Sequence, residues 1–437
     1  MQEKSKKVTA ILLGAGHRGA DAYASYALQY PEELTFVGVA EPRKERREEF
    51  QKAHKIEDKY AVESWEELLA FPRLADLVLI CTQDHMHMEP MARAMELGYD
   101  ILVEKPISPV KEELVNLKEK TENYEGMISV CHVLRYSPFF RKIKEILDAG
   151  TIGELMNIQH MESIGFWHMA HSFVRGNWRN TAESSPICLA KTCHDFDILL
   201  WLTGKKCLSV SSFGSTKLFK AENAPEGAPI RCADGECPIA DTCPYNCIKL
   251  YYEDKENSWF RRACARTISK NRRPTDEEVM QALKTTDYGL CVFHSNNDVV
   301  DHQVVNMEFE GGATVQFTMN AFNKGGRYIR LFGTKGEIFA YAADTEITVY
   351  TFEDKVTRQI PVEQQEESIL GGHGGGDDGI VLELYDYLSG NYTGYCAADI
   401  NRSVKNHLLV FAAEKARHND TVESIDEYFK EFGLVND

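Results

Sequence analysis

Two groups of ionisable residues have the types and spacing needed for acid–base chemistry. Glu104 and Lys105 directly follow the apolar run ILV, and a sheet interior does not hold unpaired charges, so a function at that strand end must require them. Lys191, His194 and Asp195 lie three and four residues apart, which predicts one shared helix face. Because imidazole titrates near neutrality, His194 suits a general acid/base, with Lys105 orienting or relaying the proton and Lys191 binding substrate or sharing the proton.

A glycine-rich turn lies in the element that would position the first group. The run KVTAILL predicts a strand, and the following GAGHRG opens a predicted helix, with Gly14, Gly16 and Gly19 at the spacing that dinucleotide-binding turns use. The second predicted strand, LTFVGVA, ends at Glu41, where an acidic residue accepts ribose hydroxyls. Glu41 favours NAD, whereas Arg43, in the basic run RKERR, either welcomes the 2′-phosphate of NADP or lies on a solvated helix face.

Strands alternate with helices in this part of the chain, which predicts a parallel sheet with ligands outside the carboxyl ends of its strands. The predicted strands ADLVLICT and DILVE end at the same edge as the glycine turn. We therefore predict that Lys105 points at the nicotinamide and is not a surface lysine in a turn. The candidate cofactor-binding residues are Gly14, Gly16, His17, Arg18, Gly19, Glu41, Arg43, Thr82, His87, Glu104 and Lys105.

With GAGHRG, CTQDHMH and VEKP in this order, the chain resembles the Gfo/Idh/MocA family of NAD(P)-dependent oxidoreductases. The resemblance extends to LRYSPFFRKIKEILDAGTIGEL, CHDFDILLWLTG and RLFGTKGEIFAY. It implies an α/β protein with an N-terminal Rossmann domain (1–130) and a C-terminal α/β domain (131–437) that has a large, mostly antiparallel open sheet. The segment 217–300 would be a Cys-rich insertion.

The same resemblance implies a function and a site. Family members act mostly on sugars, cyclitols and related polyols, and their open sheet often forms an oligomer interface, so we expect a homodimer or homotetramer. Lys105 would be the lysine that helps move the substrate proton, with a cis bond to Pro106. Many members carry Asp four residues before the helix histidine, but here that position is Ala190.

The segment GFWHMAHSFVRGNWRN is the best candidate for a substrate loop. Its aromatic rings could stack on a sugar ring, and its arginines could bind a carboxylate, sulfate or phosphate through two hydrogen bonds. Alternatively, the aromatic residues fill the domain junction. The candidate substrate-binding residues are Trp167, His171, Arg175, Trp178 and Arg179, together with Asp195.

Two later segments carry polar clusters with open interpretations. HSNNDVVDHQ either reaches the pocket or ends a strand. GGHGGGDDG lacks the preceding strand of a phosphate loop and is better explained as a lid. In that interpretation Asp377 or Asp378 caps the following helix, and His373 enters the site on closure.

Four cysteines lie close together in RCADGECPIADTCPYNC. Cys232, Cys237, Cys243 and Cys247 could enclose a structural zinc ion that staples the insertion. The spacing contains no C-x-x-C pair, however, and free thiols or an iron–sulfur cluster are the alternatives.

Composition restricts the partners. A formal net charge of −18 and a pI near 5.3 argue against nucleic acid, which requires a basic surface. No apolar tract is long enough to span a membrane, and the polar start MQEKSKKVTA predicts a cytoplasmic protein with free thiols.

Three functions fit these residues. The first is a dehydrogenase that moves hydride between NAD(P) and a secondary hydroxyl of a sugar, glycoside or cyclitol. The second is a glycoside hydrolase that retains its NAD and acts by transient oxidation and elimination. The third is a non-catalytic dinucleotide-binding regulator, which the alanine at position 190 makes conceivable.

Overall fold

The structure, a computed structural model, describes residues 6–253, 264–265, 267–269, 271, 274–362, 373–391 and 398–436. Its first sheet has six parallel strands in the order β3-β2-β1-β4-β5-β6, the strand order of a Rossmann fold. The central strands are apolar and buried on both faces, as expected where helices cover a parallel sheet. The strands are β1 (Val8–Leu13), β2 (Leu34–Ala40), β3 (Ala61–Val62), β4 (Leu77–Ile80), β5 (Asp100–Val103) and β6 (Ile128–Val130).

Helices connect these strands. A π-helical segment, His17–Tyr23, begins within the glycine turn and precedes a short α-helix. The α-helices of this region are α1 (Ser25–Gln29), α2 (Lys44–His54), α3 (Trp65–Leu68), α4 (Met88–Glu96) and α5 (Lys111–Thr121), with 3₁₀ turns at Asp58–Tyr60 and Asp84–Met86.

The second sheet has nine strands in the order β14-β13-β12-β11-β7-β10-β9-β8-β15. Only β7 and β10 pair in parallel; the other neighbours are antiparallel. Burial alternates along β9 and β10, so one face packs on helices and the other is open. The strands are β7 (Leu155–Ser163), β8 (Cys207–Ser215), β9 (His302–Phe309), β10 (Thr314–Asn320), β11 (Gly326–Gly333), β12 (Gly336–Tyr341), β13 (Glu346–Thr351), β14 (Val356–Pro361) and β15 (Val422–Ser424).

The remaining helices cover this sheet and join it to the first one. The α-helices are α6 (Pro138–Asp148), α7 (Phe166–His168), α8 (Ile187–Ala190), α9 (Cys193–Thr203), α10 (Asp276–Thr285), α11 (Gly376–Leu388), α12 (Ile400–Asn419) and α13 (Ile425–Lys430). Shorter 3₁₀ or π-helical segments are Val133–Tyr136, Met169–Val174, Ala221–Asn223, Lys249–Glu253 and Asp287–Gly289.

Helix α12 lies at the junction of the two sheets. It packs against α5 and β6 on one side and against α8, α9 and β8 on the other. A fully buried ion pair, Arg135–Asp197, with Nε and Oδ2 2.6 Å apart, fixes α9 to the segment that follows β6. The ends of β5 and the start of α9 therefore face the same region. The predicted α/β fold is confirmed, and the domain bounds 1–130 and 131–437 stay predictions.

Among the described residues, no helix is both long enough and apolar enough to cross a membrane. Part of the predicted insertion, residues 254–263, 266, 270, 272 and 273, lies outside the described residues, as do residues 371–372 of the predicted lid. The predicted cap of the helix at 376–388 is wrong. Gly375 occupies the cap position without a side-chain bond, and the Asp377 carboxylate instead binds Arg18.

Candidate active site

The turn after β1 has a geometry that requires glycine. Gly14 has φ +92°, and a side chain there would lie 2.5 Å from the Cys81 carbonyl oxygen; at Gly19 it would lie 2.3 Å from the Gly14 oxygen. Gly16 is different, because its nearest neighbour would be Arg46 Nη1 at 3.8 Å. There is thus no room for a side chain at Gly14 or Gly19, whereas the space at Gly16 is open. This open space fits a pyrophosphate that approaches the backbone at the start of a helix.

The Glu41 carboxylate is held beside this turn. It is 5% exposed, and it accepts hydrogen bonds from the backbone N–H groups of Ala15 (2.9 Å) and Arg43 (3.0 Å). A carboxylate has about four acceptor positions, so those not used by the backbone can take ribose hydroxyls. Arg46 lies close to Gly16, and burial, together with the charge of Arg43, lowers its pKa. These residues fit a dinucleotide with Glu41 at the ribose.

Arg18, predicted to bind the cofactor, is engaged elsewhere. Its Nε donates to Glu104 Oε1 at 2.7 Å and its Nη2 to Asp377 Oδ1 at 2.7 Å, while the Tyr23 hydroxyl donates to the same Glu104 oxygen at 2.6 Å. The predictions for Arg18 and Glu104 are corrected accordingly. Both belong to a buried ion cluster that ties the glycine turn to α11, and this explains why a sheet end carries Glu104.

Three further cofactor candidates have local partners. His87 is 1% exposed, and its two ring nitrogens lie 2.8 Å from the Pro106 carbonyl oxygen and 3.1 Å from that of Thr82, so it braces two loops and does not reach for a ligand. Thr82 donates its hydroxyl to the Met86 carbonyl. His17 Nδ1 lies 3.1 Å from Asp21 Oδ2.

Lys105 reaches the helix pair that carries the second predicted group. Its Nζ donates to the Ala190 carbonyl oxygen at 2.6 Å, at the end of α8, while its backbone N–H donates to Glu104 Oε2. The predicted cis bond between Lys105 and Pro106 is confirmed. The residue that differs from the usual aspartate, Ala190, therefore contacts the lysine through its backbone.

His194 lies in the same buried region. It is 3% exposed, and its ring lies 5.6 Å from the His373 ring and 5.8 Å from the His132 ring. Its Nδ1 has no hydrogen-bond partner among the residues that the structure describes. Burial, followed by the charge of Lys105, holds the pKa of His194 well below its usual value. Burial also lowers the pKa of His373, which Asp377 holds in place at 3.2 Å. A neutral His194 can accept a proton.

Lys191, His194 and Asp195 do not share one helix face as predicted. Lys191 lies in the turn between α8 and α9, where its Nζ is 3.4 Å from Glu162 Oε1. Asp195 is fully buried and is bound to His160 Nε2 and Arg327 Nε, both at 2.8 Å, so it cannot bind substrate as predicted.

Glu162 and Arg327 are site residues that sequence reasoning missed. Glu162 on β7 and Arg327 on β11 pair at 2.9 Å, and Arg327 also binds Asp195, so the pair links the sheet to α9. Burial lowers the pKa of Lys191, Glu162 opposes this effect, and Arg327 and Lys105 lower the pKa further. Sequence reasoning also missed His168. Burial, followed by the charge of Lys191, strongly lowers the pKa of His168, so this residue lies beside the same charged side chains.

Most candidate residues of the predicted substrate loop bond to the insertion and hold it in place. Arg175 is 1% exposed and donates to the carbonyls of Leu290 (2.7 Å) and Tyr245 (2.6 Å), so it cannot bind a substrate anion. His171 lies 3.0 Å from the Tyr251 hydroxyl, and burial, followed by the charge of Arg175, lowers its pKa to about 3. The predictions for both residues are therefore corrected.

The other candidates in this loop divide into two groups. Arg179 binds Asn296 at 3.1 Å and pairs with Asp287 at 2.9 Å, so it also braces the insertion. Trp178 instead donates its Nε1 to Asp84 Oδ2 at 3.1 Å, beside the strand end of β4. The Trp167 ring stacks on the His168 ring, with centroids 5.3 Å apart, and so lies next to the charged residues described above.

The two polar segments with open interpretations are now placed. Asp301 accepts from the backbone N–H groups of Lys217 and Leu218, and Asp298 accepts from Thr181, so these two aspartates brace loops. His373, by contrast, lies beside His194.

The structure does not support the predicted zinc site. Over the part of the chain that the structure describes, which includes Cys232, Cys237, Cys243 and Cys247, no three potential ligands are arranged to hold a metal ion. A hydrogen bond with Cys247 and, against the effect of burial, the charge of Arg175 lower the pKa of Cys232 to about 5. The Cys232 Sγ lies 3.9 Å from Arg175 Nη2, so this thiol contacts a buried arginine.

Comparisons with known proteins agree with this geometry. Residues 8–132 match the model of an oxidoreductase family with an NAD-binding Rossmann fold, and residues 144–421 match the C-terminal alpha/beta domain of the same family. The fold and the glycine turn thus define an oxidoreductase with an NAD-binding Rossmann domain. The chain belongs to the Gfo/Idh/MocA family.

Relatives and solved structures extend the comparison. The chain is 26% identical to YteT of Bacillus subtilis, which is classed as an oxidoreductase. The match covers 73% of this chain and 76% of YteT. It is 28% identical to the scyllo-inositol 2-dehydrogenase (NAD(+)) of the same organism over 48% of this chain and 57% of that one. The crystal structure of levoglucosan dehydrogenase with NADH and levoglucosan shares the fold, with a TM-score of 0.67 and 16% identity over 96% of this chain and 100% of that one.

Proposed function

We propose that this protein transfers hydride between NAD and a secondary hydroxyl of a sugar or cyclitol. The observation that carries the proposal is the bond from Lys105 Nζ, at the cofactor edge of the first sheet, to the Ala190 carbonyl directly before Lys191 and four residues before His194. The names of the relatives, an inositol dehydrogenase and a levoglucosan dehydrogenase, support a polyhydroxylated ring as the substrate class.

The cofactor assignment follows from the turn and from Glu41. When bound, NAD supplies the acceptor for the hydride. The pyrophosphate would lie against the open backbone at Gly16, in the turn that Gly14 and Gly19 shape, and Glu41 would bind the ribose hydroxyls. NAD is preferred to NADP because a 2′-phosphate would lie against the Glu41 carboxylate, although Arg43 beside it could offset part of that repulsion.

Proton transfer is assigned to three groups. Oxidation of an alcohol requires a base for the hydroxyl proton, and we assign this role to His194, whose imidazole is kept neutral by burial and by Lys105. The Lys105 ammonium orients the hydroxyl and stabilises negative charge on its oxygen. Lys191, with its lowered pKa, binds a neighbouring hydroxyl or shares the proton.

The wall opposite the cofactor suits a ring with many hydroxyls. Lys191 and Arg327 offer donors, while Glu162 offers a carboxylate whose Oε2 lies 2.9 Å from Arg327 Nε. Trp167 and His168 stack on each other next to these groups and present a flat apolar surface. Alternating donors, acceptors and a flat ring face are what a sugar or cyclitol requires.

A panel of cyclitols, sugars and glycosides with NAD, followed at the nicotinamide absorbance, tests the proposal. At least one substrate is expected to form NADH in proportion to product, and Lys105→Met and His194→Ala should lower turnover while binding NAD normally. Release of an aglycone without net NADH would instead indicate the NAD-retaining hydrolase. Absence of turnover across the panel by the wild type, despite NAD binding, would favour the non-catalytic regulator.

The open face of the nine-stranded sheet supports a further part of the proposal, a homo-oligomer. Phe213 on β8 and Phe339 on β12 are about half exposed on this face. We infer a homodimer or homotetramer in the cytoplasm that binds a small-molecule carbohydrate or polyol. Light scattering that gives the mass of one chain would refute the oligomer.

A further inference from the structure

The turn that follows Lys105 is held from two sides by buried histidines. On one side, the Ile107 N–H donates to His407 Nε2 at 3.1 Å. On the other, His87 Nδ1 lies 2.8 Å from the Pro106 carbonyl oxygen. The two histidines come from different regions: His87 precedes α4 beside the first sheet, whereas His407 lies in α12, which packs against α8 and α9.

The hydrogen bonds of His407 determine its tautomer. Its Nδ1 lies 2.7 Å from the Ser403 carbonyl oxygen, which can only accept, so Nδ1 carries the hydrogen and Nε2 is free to accept from Ile107. Burial, followed by the charge of His132, lowers the pKa of His407 to about 3. The ring therefore stays neutral, and the bond to Ile107 is present, throughout the neutral pH range.

An apolar side chain at this position would not be equivalent. Ile107 is completely buried, and a leucine at 407 would fill much of the space but leave the Ile107 N–H without its partner. A buried donor without a partner is costly, so the turn would shift to find another acceptor. Such a shift would move the backbone two residues from Lys105, whose Nζ has to reach the Ala190 carbonyl oxygen.

We propose that His407, together with His87, is a positioning residue that holds the Lys105 ammonium at the reacting hydroxyl. This inference rests on the proposed function, because it assigns His407 a role only if Lys105 acts in the reaction. It adds a link from α12 to the active-site lysine through the backbone of Ile107.

Two substitutions at one position separate the hydrogen bond from the packing. His407→Gln keeps an acceptor close to the position of Nε2. His407→Asn keeps only an amide close to the position of Nδ1, so it has no acceptor for the Ile107 N–H. We expect the Gln variant to retain most of its kcat. The Asn variant should lose on the order of tenfold to a hundredfold, the range typical of a misplaced catalytic group, without a change in affinity for NAD. Arg417→Met, which removes the ion pair with Glu414 from the same helix, controls for a general loosening of α12 and should leave kcat unchanged.

A double-substitution cycle distinguishes positioning from general stability. If His407 acts through Lys105, adding His407→Asn to Lys105→Met should not lower the residual kcat further. A further loss of the same size in both backgrounds would overturn the proposal, as would equal kcat values for the folded Gln and Asn variants.

Failure of this inference is distinguishable from failure of the proposed function. Full activity in Lys105→Met would reject the function itself, whereas an inactive Lys105→Met alongside an active His407→Asn would reject only the positioning role. If the His407→Asn chain does not fold, the comparison moves to His87. His87→Asn keeps a donor toward the Pro106 carbonyl oxygen, whereas His87→Leu does not. Equal kcat values for these two variants would overturn the proposal.

Discussion

The ion cluster behind Lys105 makes a prediction that can be worked out from its contacts. The Arg18 guanidinium lies between two carboxylates whose side chains are 8% (Glu104) and 3% (Asp377) exposed. The substitution Arg18→Met keeps much of the side-chain volume but leaves both carboxylates buried without their cation. Breaking a buried ion pair by removing one partner costs about 3–5 kcal/mol, so the free energy of unfolding should fall by that amount at pH 7.

The pH dependence of this loss has a definite sign. In the wild type, burial raises the pKa values of Glu104 and Asp377, but Arg18, acting with the neighbouring polar groups, holds both values below their usual range. The stabilisation is therefore present at neutral pH and is lost only in strong acid. In the variant, burial without the cation raises both pKa values. As the pH falls from 7 toward 4.5, the variant should therefore regain up to about 1.4 kcal/mol per pH unit for each proton bound.

Urea unfolding at several pH values measures both quantities. Arg93→Met is the matched control, because the pair Arg93–Glu96 is exposed and should contribute only about 0.2–1 kcal/mol at any pH. A loss below about 1 kcal/mol for Arg18→Met, or a loss that grows as the pH falls, would refute the assignment of this cluster as a buried structural network.

Four further predictions follow from single contacts. Glu41→Ser should strengthen NADP binding relative to NAD by on the order of tenfold in a fluorescence titration, and an unchanged ratio would remove Glu41 from the ribose site. Gly19→Ala should abolish NAD binding, because its Cβ would lie 2.3 Å from the Gly14 oxygen, whereas Gly235→Ala, whose Cβ would lie 3.9 Å from its nearest neighbour, should bind normally. Arg175→Met should make the 217–300 segment more sensitive to protease, and unchanged cleavage would contradict its bracing role. Elemental analysis of purified protein should find zinc and iron well below one atom per chain, and one atom per chain would restore the metal site.

Much of the first sheet and its edge could be predicted because the signals are local. A strand, a glycine turn and an acidic residue after the second strand lie within a short stretch of chain, and their spacing carries the geometry. The charged residues at the end of β5 likewise indicated that Lys105 has a function. The confirmed parts of the prediction thus depend on contacts between neighbours in sequence.

The role of Arg18 could not be predicted in this way. Its position inside GAGHRG suggested phosphate binding, but its partner Asp377 is 359 residues away. Only the packing of α11 against the glycine turn brings them together. The role of Arg175 could not be predicted either, because its acceptors are backbone carbonyls of the insertion, and no sequence pattern indicates such acceptors.

Glu162 left a signal that pattern reading could have used. His160 and Glu162 alternate with exposed residues along β7, which places both on the buried face of the strand. Charged or polar residues at inward positions need buried partners, and this pattern pointed to a polar network. The identity of the partners depended on the packing of α9 for Asp195 and on strand pairing for Arg327, neither of which alternation specifies.

Transfer of deuterium from substrate carbon to the cofactor tests the catalytic assignment most directly. A polyol found in the panel, labelled with deuterium at the oxidised carbon, is incubated with NAD, and the mass of the nicotinamide product is measured. The wild type should yield singly deuterated NADH, and Lys105→Met and His194→Ala should yield little at equal NAD occupancy. Unlabelled NADH from the wild type, or full transfer by both variants, would contradict the convergence of Lys105 and His194 on one reacting hydroxyl.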